Sequence, residues 1–133
     1  MTTVVLDTSI LIEIERSNQE MAARLSEIQE KFKPALDFAV TFVNHFEFYY
    51  GNLVKGSRHA AAAYDFLNQF DFLTATQFTS QLLSKIQHSL EKKGESAPIL
   101  DLIVASLTIE NNGILITRDR DFEKIPGLNY VLV

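Results

Sequence analysis

Residues 3–9 of this chain read Thr3-Val4-Val5-Leu6-Asp7-Thr8-Ser9, a short β-branched and apolar run that ends on an acidic and two hydroxyl side chains. The run predicts a strand that is buried on both faces, because a half-exposed strand would alternate apolar and polar residues. Thr8 or Ser9 can then cap a helix through Ile10-Leu11-Ile12-Glu13-Ile14-Glu15. A buried strand followed at once by a helix is typical of an α/β domain.

The rest of the chain continues this alternation of helical and extended patterns. Further helices are predicted at Asn18–Phe32, Val43–Val54, Ser57–Phe70, Thr76–Lys92 and Pro98–Asn111. Further strands are predicted at Phe38–Thr41, Phe72–Ala75, Ile114–Thr117 and Tyr130–Val133. Strands separated by helices pair in parallel through right-handed crossovers. We therefore expect one domain over residues 1–133, a three-layer α/β/α fold whose central, mainly parallel sheet of four to five strands is flanked by helices.

Composition limits the classes of protein to consider. The chain has 133 residues, of which 47% are hydrophobic, enough for the core of a single domain. Its first residues have no basic segment followed by a sustained apolar run, and no apolar stretch approaches the roughly 18 residues of a membrane span. We expect a cytoplasmic protein without a membrane partner. The net charge of -5 argues against broad affinity for nucleic acid, although a metal could neutralise several of the acidic groups of a nuclease.

Four acidic residues stand beside or inside apolar runs that should be buried: Asp7, Glu47, Asp101 and Asp119. A buried carboxylate without a partner is unstable in its ionised form. Four such groups, scattered along the sequence, therefore suggest a shared cation. Because the ligands would be oxygen atoms and the chain has no cysteine, the favoured ion is Mg²⁺ or Mn²⁺. The chemistry that this ion favours is metal-assisted attack on a phosphate ester.

The predicted positions of these acids are compatible with one pocket. Asp7 and Asp119 follow predicted strands, while Glu47 and Asp101 lie in the first turns of predicted helices, which are positions at the carboxyl edge of a parallel sheet. Two carboxylates about 4 Å apart repel by roughly 4 kcal/mol at an effective dielectric near 20, so such a cluster would need cations or shared protons.

Each acid also has a simpler explanation. Asp7 could cap the first helix, Asp119 and Asp121 could form an ordinary turn, and Glu47 could favour a helix start through the macrodipole. Asp101 is harder to explain in this way, because apolar pairs flank it in a helix that is apolar on nearly every side. The interpretation as a metal site depends on the conjunction of all four.

The chain resembles the PIN-domain ribonucleases, and among them the compact VapC toxins of VapBC toxin-antitoxin pairs. The resemblance covers essentially the whole chain. It is carried by Val4-Val5-Leu6-Asp7-Thr8-Ser9, by Val40-Thr41 leading to Glu47 and Gly51, by Pro98-Ile99-Leu100-Asp101-Leu102-Ile103-Val104-Ala105, and by Ile114-Leu115-Ile116-Thr117-Arg118-Asp119 with Asp121-Phe122 close behind.

The resemblance implies an activity, site residues and partners. It implies a Mg²⁺- or Mn²⁺-dependent endoribonuclease in which metal-activated water hydrolyses RNA, with an acidic metal pocket made of Asp7, Glu47, Asp101 and Asp119. Ser9 and Thr117 match small polar positions that orient ligands or water. Asp121 is interpreted as a structural or supporting residue, since Asp119 is favoured as the direct ligand. The implied partners are an RNA substrate, a second copy in a homodimer and a cognate antitoxin protein.

Three other functions fit parts of the sequence. A PIN-domain nuclease could act in RNA processing without being a toxin, and a non-catalytic PIN-like module could only bind RNA or protein. Phosphoryl transfer through an aspartyl-phosphate at Asp7 fits poorly, because the corresponding resemblance would require a second Asp where Ser9 stands.

One predicted helix carries aromatic residues around a wide arc: Phe46, Phe48, Tyr49 and Tyr50. At about 100° per residue, these four rings cannot all lie on a single buried stripe. Either the helix is covered on several sides within the domain, or some of the rings form an interface. Our hypothesis is that Tyr49 or Tyr50 contributes to such an interface.

Overall fold

The computed structural model describes residues 2–16, 19–31 and 36–133. Its strands are β1 (Thr2–Leu6), β2 (Leu36–Thr41), β3 (Asp71–Leu73), β4 (Ile114–Thr117) and β5 (Tyr130–Leu132). The described α-helices are α1 (Thr8–Glu15), α2 (Gln19–Lys31), α3 (Phe42–Leu53), α4 (Ser57–Leu67), α5 (Gln77–Lys92) and α6 (Ile99–Glu110), and a short 3₁₀ helix spans Arg120–Lys124. All strand pairs are parallel, in the order β3-β2-β1-β4-β5, which confirms the predicted α/β fold with a parallel sheet.

The central strand β1 is buried on both faces, as its sequence predicts. Val4 and Leu6 belong to one hydrophobic cluster, which α1 and α3 complete with Ile10 and Phe48. Val5 points to the opposite face and belongs to a second cluster with residues of α5 and α6. Successive side chains of a strand point to opposite faces, so the apolar run of β1 contributes to both clusters.

In the described part of the chain, no helix combines the length and apolar character needed to cross a membrane.

Several predicted boundaries were wrong because local capping ends an element earlier or starts it elsewhere. The third strand ends at Leu73 rather than Ala75, since the Thr76 and Thr79 side chains form a reciprocal capping box that starts α5. The N-cap position of the first helix is Asp7, not Thr8 or Ser9, and the Asp7 side chain makes no capping hydrogen bond. Pro98 lies at the N-cap of α6 instead of inside its first turn.

Smaller shifts of one to three residues affect other ends. Helix α4 stops at Leu67 rather than Phe70, because the Phe70 amide bonds to the Leu67 carbonyl in a closing turn (3.1 Å). Helix α3 begins and ends one residue earlier than predicted, and β5 ends at Leu132. The predicted start of α2 at Asn18 and its predicted end at Phe32 lie outside the described residues.

Strand register brings distant parts of the sequence to one edge of the sheet. Leu6 of β1 is paired with Ile116 of β4, and the amide of Asp7 donates to the Ile116 carbonyl (3.0 Å). Asp7 and Thr117 therefore leave the sheet side by side. On the other side of β1, strand β2 ends at Thr41, which caps α3 through its side chain. The carboxyl ends of β2, β1 and β4 thus form one continuous edge.

We expect Gly113→Ala to lower the free energy of unfolding by about 1–3 kcal/mol, because a methyl group there is too close to rigid backbone. An added Cβ would lie 3.1 Å from the Thr3 carbonyl oxygen and 3.3 Å from that of Thr108. Urea unfolding measures the change. The matched control is Gly51→Ala in α3, where an added Cβ meets nothing within 4 Å and should stabilise the helix by roughly 0.5–1 kcal/mol. Equal effects at the two glycines would contradict this packing.

Candidate metal centre

Three carboxylates form a tight group at the carboxyl edge of the sheet. One oxygen atom from each of Asp101, Asp119 and Asp121 lies within 4.8 Å of the other two. Asp101 belongs to the first turn of α6, and Asp119 follows β4 as the N-cap of the 3₁₀ helix that contains Asp121. Carboxylate oxygens are the ligands that hard divalent cations prefer. The donor set therefore fits Mg²⁺ or Mn²⁺.

Asp119 has a local structural role in addition to its place in this group. Its Oδ1 accepts a hydrogen bond from the Asp121 amide (2.9 Å), so it also forms the turn that the simpler interpretation predicts. A carboxylate has about four lone-pair positions, so this bond leaves most of them available. The sequence favours Asp119 over Asp121 as a direct ligand, and that choice stays a prediction.

Asp7 is held by two buried side chains instead of capping its helix. Thr117 Oγ1 donates to Asp7 Oδ2 (2.7 Å), and Asn44 Nδ2 donates to Asp7 Oδ1 (3.0 Å). The Asp7 side chain makes no capping hydrogen bond, so the explanation of Asp7 as a simple cap fails. Burial raises the pKa of Asp7, its hydrogen bonds from Thr117, the Thr8 backbone and Asn44 oppose the rise, and the charge of Asp119 adds to it.

Glu47 lies in the second turn of α3, so its predicted place in a first turn was wrong. It is exposed and reaches the site through a hydrogen bond. Thr8 Oγ1 donates to Glu47 Oε1 (2.7 Å). Asp7 and Glu47 both lie outside the tight group of three, but they are close enough to act on it electrostatically. The structure thus brings Asp101, Asp119 and Asp121 closest together.

The pKa of Asp101 reports the combined field of these acids. Burial raises that pKa most, followed by the negative charges of Asp119, Asp7, Asp121 and Glu47, and together they raise it to about 6. Every acid that the sequence singles out therefore contributes to one electrostatic neighbourhood. A bound divalent cation would relieve this repulsion.

The two predicted supporting hydroxyls differ in their surroundings. Thr117 is fully buried and links two acids, since its hydroxyl donates to Asp7 and accepts from the Asp119 amide (3.0 Å). Ser9 Oγ is buried and has no hydrogen-bond partner among the described residues. A buried hydroxyl without a partner costs about 1–3 kcal/mol, so a water molecule or a ligand is the expected partner.

Two residues of the site were not identified from the sequence. Asn44 donates from Nδ2 to Asp7 and to Thr8 Oγ1 (3.1 Å), and the Thr8 hydroxyl donates to Glu47. Their only sequence signal is a polar residue three positions before Glu47 and a hydroxyl next to Asp7, and both residue types are ordinary near helix starts. Only the folded arrangement distinguishes them.

We expect Asp101→Asn to stabilise the metal-free protein increasingly as the pH rises. Because folding raises the pKa of Asp101 to about 6, the folded protein binds this proton more tightly than the unfolded chain does. Protonated Asp101 therefore imposes no penalty on the free energy of unfolding below the ordinary Asp pKa. The wild-type protein loses stability, relative to Asp101→Asn, as the pH rises through about 6. Because solvent screens part of the repulsion, we expect Asp101→Asn to gain roughly 1 kcal/mol in the free energy of unfolding at pH 7.5. This corresponds to a rise in Tm of about 3–6 °C at pH 7.5, with little rise at pH 4.5. Thermal unfolding in EDTA measures it, and a pH-independent gain would contradict the electrostatic cause.

Comparison with known proteins places this geometry in a family. A family model described as PIN domain matches residues 4–128. Among curated protein sequences, none shows a significant match. The matched span contains every described α-helix and ends before β5.

Solved structures of VapBC toxin-antitoxin proteins have a similar fold. A chain of VapBC2 from Rickettsia felis, bound to a DNA fragment from its promoter, is 21% identical with a TM-score of 0.84 and 99% of both chains covered. VapBC-1 from nontypeable Haemophilus influenzae (20%, 0.83, 98% of both chains) and DNA-bound VapBC from Salmonella typhimurium (19%, 0.82, 98% of both chains) are similar to the same degree. At these identities the likeness shows the fold alone. Because the PIN-domain model matches residues 4–128, which is most of the chain, this chain belongs to the PIN-domain family.

Proposed function

We propose that this protein is a Mg²⁺- or Mn²⁺-dependent endoribonuclease and the toxin of a type II toxin-antitoxin pair. The observation that carries the proposal is the convergence of five acids, from four distant chain segments, at one edge of the sheet: Asp7, Glu47, Asp101, Asp119 and Asp121. This arrangement destabilises the metal-free protein, so its presence in a PIN domain favours a cation-dependent activity.

Asp101 and Asp119 would hold the ion, with Asp121 beside them and Asp7 and Glu47 completing the acidic pocket. A bound divalent cation supplies an acidified water and a positive charge next to the phosphodiester. The protein contributes the orientation of its carboxylates, since Thr117 and Asn44 fix both oxygens of Asp7. No protein nucleophile is required, and hydrolysis by water would leave 5'-phosphate and 3'-hydroxyl ends.

The structural neighbours support the proposed protein partner. Several are chains of VapBC toxin-antitoxin proteins, and another is a toxin-antitoxin complex from Klebsiella pneumoniae. We therefore include a cognate antitoxin in the proposal. We expect the antitoxin to inhibit the enzyme, because a partner that places a basic side chain in the acidic pocket would compete with the metal ion and with RNA.

An exposed apolar stripe on α3 supports a homodimer. The stripe, called the α3 stripe below, comprises Phe42, Phe46, Tyr50 and Leu53, which recur at three- and four-residue intervals on one side of the helix. Phe46 and Tyr50 are 57% and 56% exposed, and their rings stack with centroids 5.9 Å apart. Phe48, by contrast, is buried. The aromatic residues of α3 thus face two surfaces, and the exposed one is of the kind found at protein interfaces.

We expect the purified protein to cut RNA only with Mg²⁺ or Mn²⁺, and Asp101→Asn or Asp7→Asn to lower the cleavage rate by about 100-fold or more. Loss of a residue that only supports a ligand costs roughly 10–100-fold, so loss of a ligand should cost at least as much. Gel analysis of total cellular RNA, with EDTA as control, measures cleavage. The matched control is Asp65→Asn on the exposed surface of α4, which should retain full activity.

Cleavage assays, together with measurements of Mn²⁺ binding and of beryllofluoride trapping, separate the competing functions. Full activity of a folded Asp101→Asn protein would contradict the site. Measurable Mn²⁺ binding without cleavage of any RNA would favour a specific substrate that was not supplied. The absence of Mn²⁺ binding would favour a non-catalytic module. Trapping of a beryllofluoride adduct on Asp7 would favour phosphoryl transfer through an aspartyl-phosphate.

We expect Phe46→Arg to convert a dimer into a monomer, because a charge in the α3 stripe cannot be buried against a second copy. Light scattering after size exclusion gives the mass of each form. Tyr64→Arg on α4 is the control, since Tyr64 is similarly exposed (55%) but lies on a different helix. A wild-type protein that is monomeric at micromolar concentration would contradict the dimer.

A further inference from the structure

Asn44 is fully buried, yet every polar group of its side chain has a partner in the protein. Its Oδ1 accepts from Thr41 Oγ1 (2.7 Å), and its Nδ2 donates both to Asp7 Oδ1 (3.0 Å) and to Thr8 Oγ1 (3.1 Å). The two protons of the amide nitrogen are thus both used. A buried amide that satisfies three partners is expensive to replace, since each partner would lose its bond.

The orientation of this amide follows from its neighbours. The Asn44 backbone amide donates to Thr41 Oγ1 (3.2 Å), which leaves the Thr41 hydroxyl proton free to donate to Asn44 Oδ1. An ionised Asp7 can only accept, so a rotated amide would place two oxygen atoms against each other. The nitrogen of Asn44 must therefore face Asp7.

The hydrogen bonds continue from Asn44 to Glu47 through Thr8. The Thr8 hydroxyl accepts from Asn44 Nδ2 and donates its own proton to Glu47 Oε1 (2.7 Å). Asn44 thereby fixes the direction in which Thr8 donates. Ordering an exposed Glu side chain costs conformational entropy, and a charge-assisted hydrogen bond offsets part of that cost.

The same contacts leave Asp7 able to bind a cation. Each Asp7 oxygen accepts one side-chain hydrogen bond, Oδ1 from Asn44 and Oδ2 from Thr117. The Thr8 backbone also donates to this carboxylate. A carboxylate has about four lone-pair positions, so these three bonds leave one of them available for a cation. Asn44 also joins three elements, because Thr41 ends β2, Asn44 lies in α3, and Asp7 and Thr8 begin α1.

We propose that Asn44 is a positioning residue that sets the orientation of Asp7 and, through the Thr8 hydroxyl, of Glu47, and so raises the affinity of the site for a divalent cation. The inference rests on the proposed function for the cation. The inference extends the proposed function, because a neutral, buried side chain arranges two of the acids.

The first test changes hydrogen bonding while keeping shape. Asn44→Leu keeps the branched shape of Asn44 and removes its amide, and Thr8→Val replaces only the hydroxyl, by a methyl group of similar size. We expect both variants to bind Mn²⁺ about 10–100-fold more weakly in titration calorimetry, the range for residues that orient metal ligands. Thr8→Ser retains the hydroxyl and should restore the wild-type affinity. Because Thr8 is only partly buried, its two variants should fold even if Asn44→Leu does not.

The second test needs neither metal nor activity. In the metal-free protein, the ¹³C carboxylate resonance of Glu47 should shift toward that of an exposed Glu in Thr8→Val and Asn44→Leu, and remain in place in Thr8→Ser. An unchanged Glu47 resonance in folded Thr8→Val would overturn the chain of hydrogen bonds. If folded Thr8→Val binds Mn²⁺ with the affinity of the wild-type protein, these hydrogen bonds do not raise the affinity for the cation. If the wild-type protein binds no Mn²⁺, the proposed function fails and so does the cation part of the inference, whereas the resonance still tests the positioning.

Discussion

The hydrogen bonds that Thr117 and Asn44 donate to Asp7 connect the three chain segments on which the candidate site depends. Thr117 ends β4, Asn44 lies in the first turn of α3 after β2, and Asp7 follows the central strand between them. Each of these contacts exists only if the strands lie in this order and register. The site is therefore a consequence of the sheet, and a shift of one residue in β1 or β4 would separate Asp7 from its donors.

This arrangement has an electrostatic cost. Burial and the negative charges of the surrounding acids raise the pKa of Asp101, and the buried Ser9 hydroxyl has no partner among the described residues. The apolar clusters on the two faces of the sheet offset the cost by burying Val4, Val5 and Leu6 of β1. Repulsion that a cation would relieve is a reason to expect linkage between ion binding and stability, because a ligand that binds only the folded state stabilises it.

Much of the fold could be predicted because its signals are local. The apolar run of β1 and the apolar helix around Asp101 identify buried elements from a few consecutive residues each. Boundaries were less predictable where a short polar contact decides them, as in the Thr76 and Thr79 capping box that ends β3 early. Asn44 could not be predicted, since its partners at positions 7, 8 and 41 meet only after β1, β2 and α3 have assembled. The close approach of Asp121 to Asp101 likewise depends on the 3₁₀ helix after β4.

We propose that the acids at this edge of the sheet bind a divalent cation. Anomalous diffraction from crystals soaked in Mn²⁺ tests it most directly, because the signal locates the ion without reference to activity. We expect a manganese peak between Asp101 and Asp119, at coordination distances of roughly 2.0–2.3 Å from their oxygens. Crystals with no peak in this pocket, or with their only strong peak elsewhere, would show that these acids do not form a metal site.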